Sequence, residues 1–430
     1  MKKDISHINI LKLLSLIVIF WLLNQKNFAQ YNLDYYLTEA VANSATLNEI
    51  RNSELLNKLQ DDFNYAQNSA FQTFITANYL FAPYFNNNGH FITTDPRPDA
   101  IGYDIGVTNG GLYSALINVE KNIFNGGITG ALANQVKIQK EKFSYNYNLE
   151  KRNLEKQITD QYLNTFKSLK IYRLSEDALY NTKKQLDITR ELVATGYEKV
   201  QNFLLLKVEL QSQEIAFDES YRQYKNDLTQ LNALSGMADT RVVYIDSVEI
   251  FFNKENHFDF VKKFKIDSLV AVSEMQLLEA KYKPEVKVYF NTGLNAIEVE
   301  GIQRKFGLSA GLDFKLAIFD GGQRDISNQQ NEILLNSISV NEQFELKKIE
   351  NNRNIALSNI QFIENNLKNF QEQIYDYTKL INISQKELES GNISMIEYLT
   401  IWKNYIEIQK AKVDKEVSLM LEINNYNYWN

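Results

Sequence analysis

The sequence predicts a mainly helical, internally duplicated chain in which two pairs of amphipathic strands interrupt long coiled-coil hairpins. Three observations predict it. The tetrapeptide Phe124-Asn125-Gly126-Gly127 recurs 195 residues later as Phe319-Asp320-Gly321-Gly322. Each copy is followed 72 residues on by a second landmark, Gly196 and Gly391. Apolar residues at alternating steps of three and four fill the intervals. The same offset pairs Phe203 with Tyr398, Leu204 with Leu399, Ala216 with Ala411 and Glu150 with Glu345. A single Gly-Gly pair marks a turn, but two copies with matched spacing mark a tandem duplication.

The elements follow in chain order. Lys2 and Lys3 open the chain, an almost wholly apolar stretch runs over 13–23, and Ala29 offers a small residue at a cleavage point. Eleven apolar residues fall short of the roughly 20 that span a bilayer, so residues 1–29 read as a signal peptide and the mature chain as exported. A helical segment is expected over 30–82 and a first strand pair over 83–124. In that pair 102–124 alternates less cleanly, and 84–92 only weakly. The first long helical hairpin is expected over 125–236. A linker and helix occupy 237–283, with 241–252 left open as strand or loop.

The second strand pair, over 284–319, is clear. Val286, Val288, Phe290, Thr292, Leu294 and Ala296 alternate with polar residues, and so do Phe306, Leu308, Ala310, Leu312, Phe314, Leu316 and Ile318. A period of two over this length gives one apolar and one polar face. The second hairpin fills 320–430. Its seam steps through Leu346, Ile349, Arg353, Ala356, Ile360, Ile363, Leu367, Phe370, Ile374, Tyr377, Ile381, Ser384 and Leu388. No proline or glycine stands between Gly322 and Gly391, so one helix of about 100 Å can run the whole way. In the first copy Ile158, Thr165, Tyr172, Leu179, Leu186 and Val193 alternate with Leu154, Gln161, Ser168, Ser175, Thr182 and Thr189. The smaller residues there let neighbouring helices approach closely.

Composition excludes several chemistries. The 430 residues include no cysteine, which rules out a disulfide framework, a zinc-thiolate site, a thiol nucleophile and a lipidated N-terminal cysteine. Three scattered histidines (His7, His90, His257) make no metal cage. No nucleophile elbow, phosphate loop or His-Glu-x-x-His arrangement is present, so no enzyme, cofactor or metal is expected. A net charge of −7 disfavours a nucleic-acid partner.

Four amphipathic strands suit either a soluble hairpin pair with a half-buried face or strands of membrane-crossing length. In the second case four strands cannot close a barrel, and open edges in lipid leave backbone groups unpaired at several kcal/mol each. Closure then requires several chains. Three would give twelve strands, a number that edge satisfaction by itself does not fix.

Over roughly residues 31–428 the chain resembles the TolC-like outer-membrane efflux proteins (outer-membrane factors). The resemblance rests on the opening Leu37-Thr38-Glu39-Ala40-Val41 helix, the two proline-led strand pairs (Pro83, Pro284), both Phe-Asn/Asp-Gly-Gly turns and the glycine-marked tips. It implies a homotrimer with a twelve-stranded β-barrel in outer-membrane lipid and an α-helical tunnel in the periplasm. It further implies a passive exit duct serving an inner-membrane pump (RND or ABC type) through a periplasmic adaptor, the membrane fusion protein. The alternative is a periplasmic coiled-coil adaptor or scaffold without a channel.

Candidate site residues follow. Phe124, Asn125, Gly126, Gly127, Phe319, Asp320, Gly321 and Gly322 form the strand-to-helix turns; Asn125 and Asp320 are suited to cap the amides that follow, and the glycines to positive φ. The resemblance assigns adaptor docking to the tips, with Gly196, Tyr197, Gly391 and Ser394. Acidic tunnel-entrance positions carry over to Glu397, Thr400 and Asn202, of which only the first is acidic here. A ring of Glu397 carboxylates would constrict the entrance, repel anions and raise one another's pKa. Alternatively Glu397 is a solvated helix-start glutamate.

Overall fold

The computed structural model describes residues 31–85, 91–94, 100–104, 107, 111–253 and 257–430. The signal segment 1–29, His7 and His90 lie outside the described residues. Two helices open the chain, α1 (Leu33–Asn43) and α2 (Ala45–Asn68). Strand β1 (Gln72–Phe81), a short pair β2 (Tyr84–Phe85) and β3 (Ile92–Thr93), and the long strand β4 (Gly111–Asn125) come next. The first hairpin is α3 (Ile128–Ala194) and α4 (Val200–Leu234), followed by α5 (Lys262–Lys281). Strands β5 (Glu285–Ala296) and β6 (Phe306–Lys315) lead to the second hairpin, α6 (Gln323–Glu389) and α7 (Met395–Trp429). Long helices and a four-stranded sheet thus match the expected fold class.

The first strand pair departs from the sequence expectation. Its leading strand, β1, lies before Pro83, in the stretch read as helical, while the residues just after Pro83 form only the two-residue strand β2. The reason is that β1 carries large apolar groups on both faces. Ile75 and Tyr79 stand on one face and Phe74 and Leu80 on the other, so no period of two is visible. The segment after α4 carries no regular strand in its described part, so 241–252 is loop rather than strand.

Contacts group the chain into two units. One takes in Asn48–Asn148 and Asp259–Lys347 and contains the sheet. Its strand order is β1-β4-β5-β6, antiparallel throughout. The register gives this sheet its character. Ile75 pairs with Ile117, Ile117 with Thr292, and Thr292 with Leu308. Tyr79 pairs with Tyr113, Phe290 with Val119, and Val288 with Leu312. One face is therefore apolar across the four strands, with Lys121, opposite Val288, as the charge at its end toward the joints. The other carries Asn118, whose amide donates to Thr76 Oγ1 at 2.9 Å, and Lys287, paired with Glu120 at 3.2 Å. The apolar face is open: Ile75 is 77% and Leu308 75% exposed. A face of this size on a single chain marks a contact surface.

The other unit contains residues up to Leu47, Leu149–Phe258 and Lys348–Asn430. Here the predicted seams describe the packing. In α6, Ala356, Ile360, Ile363 and Ser384 are buried, and the other seam positions from Ile349 on are half-buried, while most residues between them are exposed. In α3, Thr165, Ser168, Ser175, Thr182 and Thr189 are buried beside Ile158, Tyr172 and Leu186. The core gathers Tyr36, Ile158, Tyr162, Leu163, Leu169, Tyr224, Leu228, Leu231 and Val417.

Tyrosines hold the strandless linker against this core. Tyr162 Oη donates to the Asp246 carbonyl at 2.8 Å and to the Tyr31 carbonyl at 3.1 Å, and Tyr224 Oη donates to the Val243 carbonyl. The linker thus satisfies carbonyls without a sheet. Burial pushes the Tyr224 phenol up to about 12 and raises Tyr36 and Tyr162 as well. Their unfolded value is about 10. Tyr224 therefore contributes stability that is complete below pH ~10 and is lost as pH rises through ~12, and Tyr36 and Tyr162 contribute in the same direction. Helical circular dichroism should fall across that window, and a signal indifferent to pH between 9 and 12 would contradict the assignment.

Candidate functional site

Two kinds of site repeat with the duplication: the strand-to-helix joints and the hairpin tips. At each joint two successive glycines take positive φ, 65° and 89° at Gly126 and Gly127, and 73° and 84° at Gly321 and Gly322. Two consecutive left-handed residues reverse the chain within a few bonds, which is open to glycine at little cost. The first joint is tight. A Cβ on Gly126 would lie 2.4 Å from the Ala280 carbonyl oxygen and 2.9 Å from Lys283 Cβ, whereas Gly127 has nothing within 4 Å.

Capping differs between the copies. Asp320 accepts from the amides of Gly322 (2.9 Å) and Arg324 (2.8 Å) and from the Tyr282 hydroxyl. These bonds hold its carboxyl below the usual range, the Tyr282 bond foremost. Arg324 in turn clasps Glu279 on α5. Asn125 does not cap as expected: its side-chain amide donates to Thr129 Oγ1 at 2.7 Å. An amide that gives its N–H to a hydroxyl one turn on is oriented by that bond, while a carboxylate can only accept.

The tips share one turn geometry. Gly196 N–H donates to the Val193 carbonyl and Tyr197 N–H to the Leu192 carbonyl; Gly391 and Asn392 repeat this with Leu388 and Glu387. Both are Schellman closures with a left-handed glycine. The following helix is then capped. Ser394 is the N-cap of α7 and forms a reciprocal capping box with Glu397. Glu397 Oε2 accepts from Ser394 N at 2.7 Å, and Ser394 Oγ accepts from Glu397 N at 3.2 Å. The Ser394 amide holds the Glu397 carboxyl below its ordinary value.

In the first copy the cap residue is Lys199, with no side-chain cap. Here Glu198, outside the motif position, accepts from Lys199 N at 2.7 Å and from Asn202 Nδ2 at 2.8 Å. Both α4 and α7 therefore begin with a carboxylate on the amide of the N-cap residue. Ser-x-x-Glu in one copy has become Glu-Lys-x-x-Asn in the other, so Glu198, near the tip but off the motif position, takes the place of the missing acid. Thr400 donates to the Ile396 carbonyl of its own helix at 2.8 Å. Among the described residues no hydrogen bond joins Asn202, Glu397 and Thr400 to one another.

Between the two tips lies a cavity of about 330 Å³ floored by Leu192, Leu206, Leu388, Met395 and Tyr398, with Glu198 and Glu389 also lining it. Tyr197 at its rim is 85% exposed, and Gln185 donates to the Tyr398 hydroxyl inside it. Among the described residues no cluster of His, Cys, Asp or Glu is able to hold a metal, and no helix is long and apolar enough to cross a membrane.

Similar folds recur in known structures. CusC, described for its folding and transmembrane channel formation, superposes with a TM-score of 0.70 at 12% identity, covering 94% of this chain and 93% of that one. The outer membrane protein VceC from Vibrio cholerae gives 0.69 at 12% identity, with 92% and 95% covered. The CmeC outer membrane channel of Campylobacter jejuni gives 0.68 at 15% identity, with 94% and 86% covered. No family model and no curated protein matches the sequence. At these identities the likeness is one of fold, and it spans nearly the whole of each chain.

Proposed function

We propose that this chain, which has the fold of those outer-membrane channels, is the outer-membrane exit duct of a tripartite efflux or type I secretion system. The observation that carries the reading is the register of the sheet, which aligns one apolar face across four strands. A membrane strand of 9–11 residues needs an apolar side for lipid and a polar side for a lumen. The outer strands β1 and β6 each pair on one side only among the described residues, and they run antiparallel to one another. The edge of one copy can therefore continue the edge of the next in the same antiparallel sense. Three copies close twelve strands and leave no open edge in lipid. A heptad-spaced row on α6, formed by Ile326, Ile333 and Val340, is also exposed and supplies a face for a neighbouring copy.

In this reading the tips and their cavity meet the periplasmic adaptor, an inner-membrane pump delivers the substrate, and no step is catalysed. Glu397 from each copy narrows and polarises the entrance even while its carboxylate serves the helix start. The purified full-length protein is expected to fractionate with outer membranes as an oligomer that resists SDS until heated. In planar lipid bilayers it should form ion-conducting channels, with Glu397→Gln lowering their cation preference. A soluble monomer that conducts nothing would overturn the reading in favour of a periplasmic scaffold.

A further inference from the structure

The polar face of the sheet is divided into two zones. Toward the loops joining the strands it is neutral, with Asn78, Ser114, Asn118, Asn291, Asn295 and Ser309 on the four strands. Toward the Gly-Gly joints it becomes a belt of charge. Glu120 on β4, Lys287 and Glu285 on β5, and Asp313 and Lys315 on β6 occupy neighbouring cross-strand rows. Three acids against two bases leave one net negative charge per chain.

Of these five charges only Lys287 and Glu120 are ion-paired among the described residues, which leaves Glu285, Asp313 and Lys315, and their net of one negative charge, free. Lys287 has Asp313 directly across from it on β6. Its ammonium goes instead to Glu120 on β4, 3.2 Å away, with both side chains about 70% covered. Asp313 has no ion-pair partner among the described residues and is exposed. Toward the neutral zone the next row is Glu120, Tyr289 and Gly311, and Tyr289 lies against Gly311, where an added Cβ would meet the phenol at 2.4 Å, so a ring rather than a charge stands beside Asp313 on β5 and β6.

We infer that this belt, through the unpaired Asp313, gives the barrel lumen a preference for cations, with Lys287 tuning it by binding Glu120. The inference rests on the duct reading, because it takes the polar face to be the lumen once the apolar face meets lipid. Repeated around a closed barrel, Asp313 becomes a ring of like charge between low-dielectric walls, a geometry that focuses the field on passing ions. Substrates carrying positive charge would leave through it more readily than anions of equal size.

Reversal potentials in planar bilayers under a potassium chloride gradient test this with the full-length oligomer. Asp313→Asn is expected to lower the K⁺/Cl⁻ permeability ratio and Lys287→Gln to raise it, each by about twofold or more. Because Lys287→Gln leaves Glu120 without its partner, retention of the SDS-resistant oligomer is the folding control. Asp313→Asn, at an exposed and unpaired position, is the variant that does not depend on it. Channels whose ratio is unchanged by either substitution, or moves only with Glu397→Gln at the tip, would overturn the belt. A wild-type protein that forms no channel would overturn the duct reading instead.

Discussion

Gly126→Ala is expected to abolish most of the assembled, heat-sensitive oligomer, while Gly127→Ala, one residue along, leaves a reduced but measurable amount. Both positions have positive φ, 65° and 89°, so each alanine carries a left-handed penalty of about 1–2 kcal/mol. The difference lies in what surrounds them. The Gly127 Cβ would enter open space. The Gly126 Cβ would meet the Ala280 carbonyl oxygen at 2.4 Å, and that carbonyl is backbone at the end of α5, which cannot swing aside as a flexible side chain would. Overpacking against a fixed group adds about 1–3 kcal/mol, enough to cost a domain much of its margin. Gly293→Ala is a second member of the class, since its Cβ would lie 2.2 Å from the Ala115 carbonyl oxygen on β4 at φ 149°. Thermal melting and the SDS-resistant fraction report both effects. Equal behaviour of Gly126→Ala and Gly127→Ala would show that the packing against Ala280 does not hold the joint.

This contrast also shows how far the chain could be read in advance. The Gly-Gly repeats, the tips and the seams were legible because each depends on local chemistry or on a regular spacing. Left-handed backbone selects glycine, and a heptad stripe is visible in one dimension. What distinguishes Gly126 from Gly127 is a neighbour more than 150 positions away, Ala280, and no local pattern encodes it. Strand β1 was hidden for a related reason: Phe74, Ile75, Leu80 and Phe81 put apolar groups on both faces, so the alternation that revealed β5 and β6 was absent. Glu198 lies near the first tip but off the motif position, because the acid stands on the other side of the cap, where it accepts from the Lys199 amide, equivalent to the Ser394 amide that Glu397 serves in the second copy. Asn125 is a cap by residue type, yet its amide goes to the Thr129 hydroxyl, which the residue type does not encode. The pairing of Lys287 with Glu120 rather than Asp313 is likewise settled by three strands at once.

Lys403→Met is expected to loosen the first hairpin from the second near the tips, by about 2–4 kcal/mol. Glu209 on α4 is almost wholly buried, at 3% exposure, and a carboxylate there needs partners. It has two: the Lys403 ammonium from α7 at 2.7 Å and the Gln213 side-chain amide at 2.8 Å. Removing the lysine leaves a charge held by one neutral donor. The loss stays below that of a fully buried pair because Lys403 is half exposed and its charge is already screened by water. Glu209→Gln in the same background removes the stranded charge and is expected to recover most of the stability, so the double variant should be more stable than Lys403→Met alone. That reversal separates a charge effect from lost lysine packing, which a second substitution would not repair. Leu206 and Leu399 pack in the same apolar cluster as Met395 and Tyr398, so the pair sits where the two tips are joined by side chains rather than by backbone. Hydrogen exchange in the first turns of α4 and α7 should therefore quicken in Lys403→Met and slow again in the double variant. If exchange is equally fast in both, the ion pair does not tie the hairpins, and the apolar cluster alone holds the tips in place.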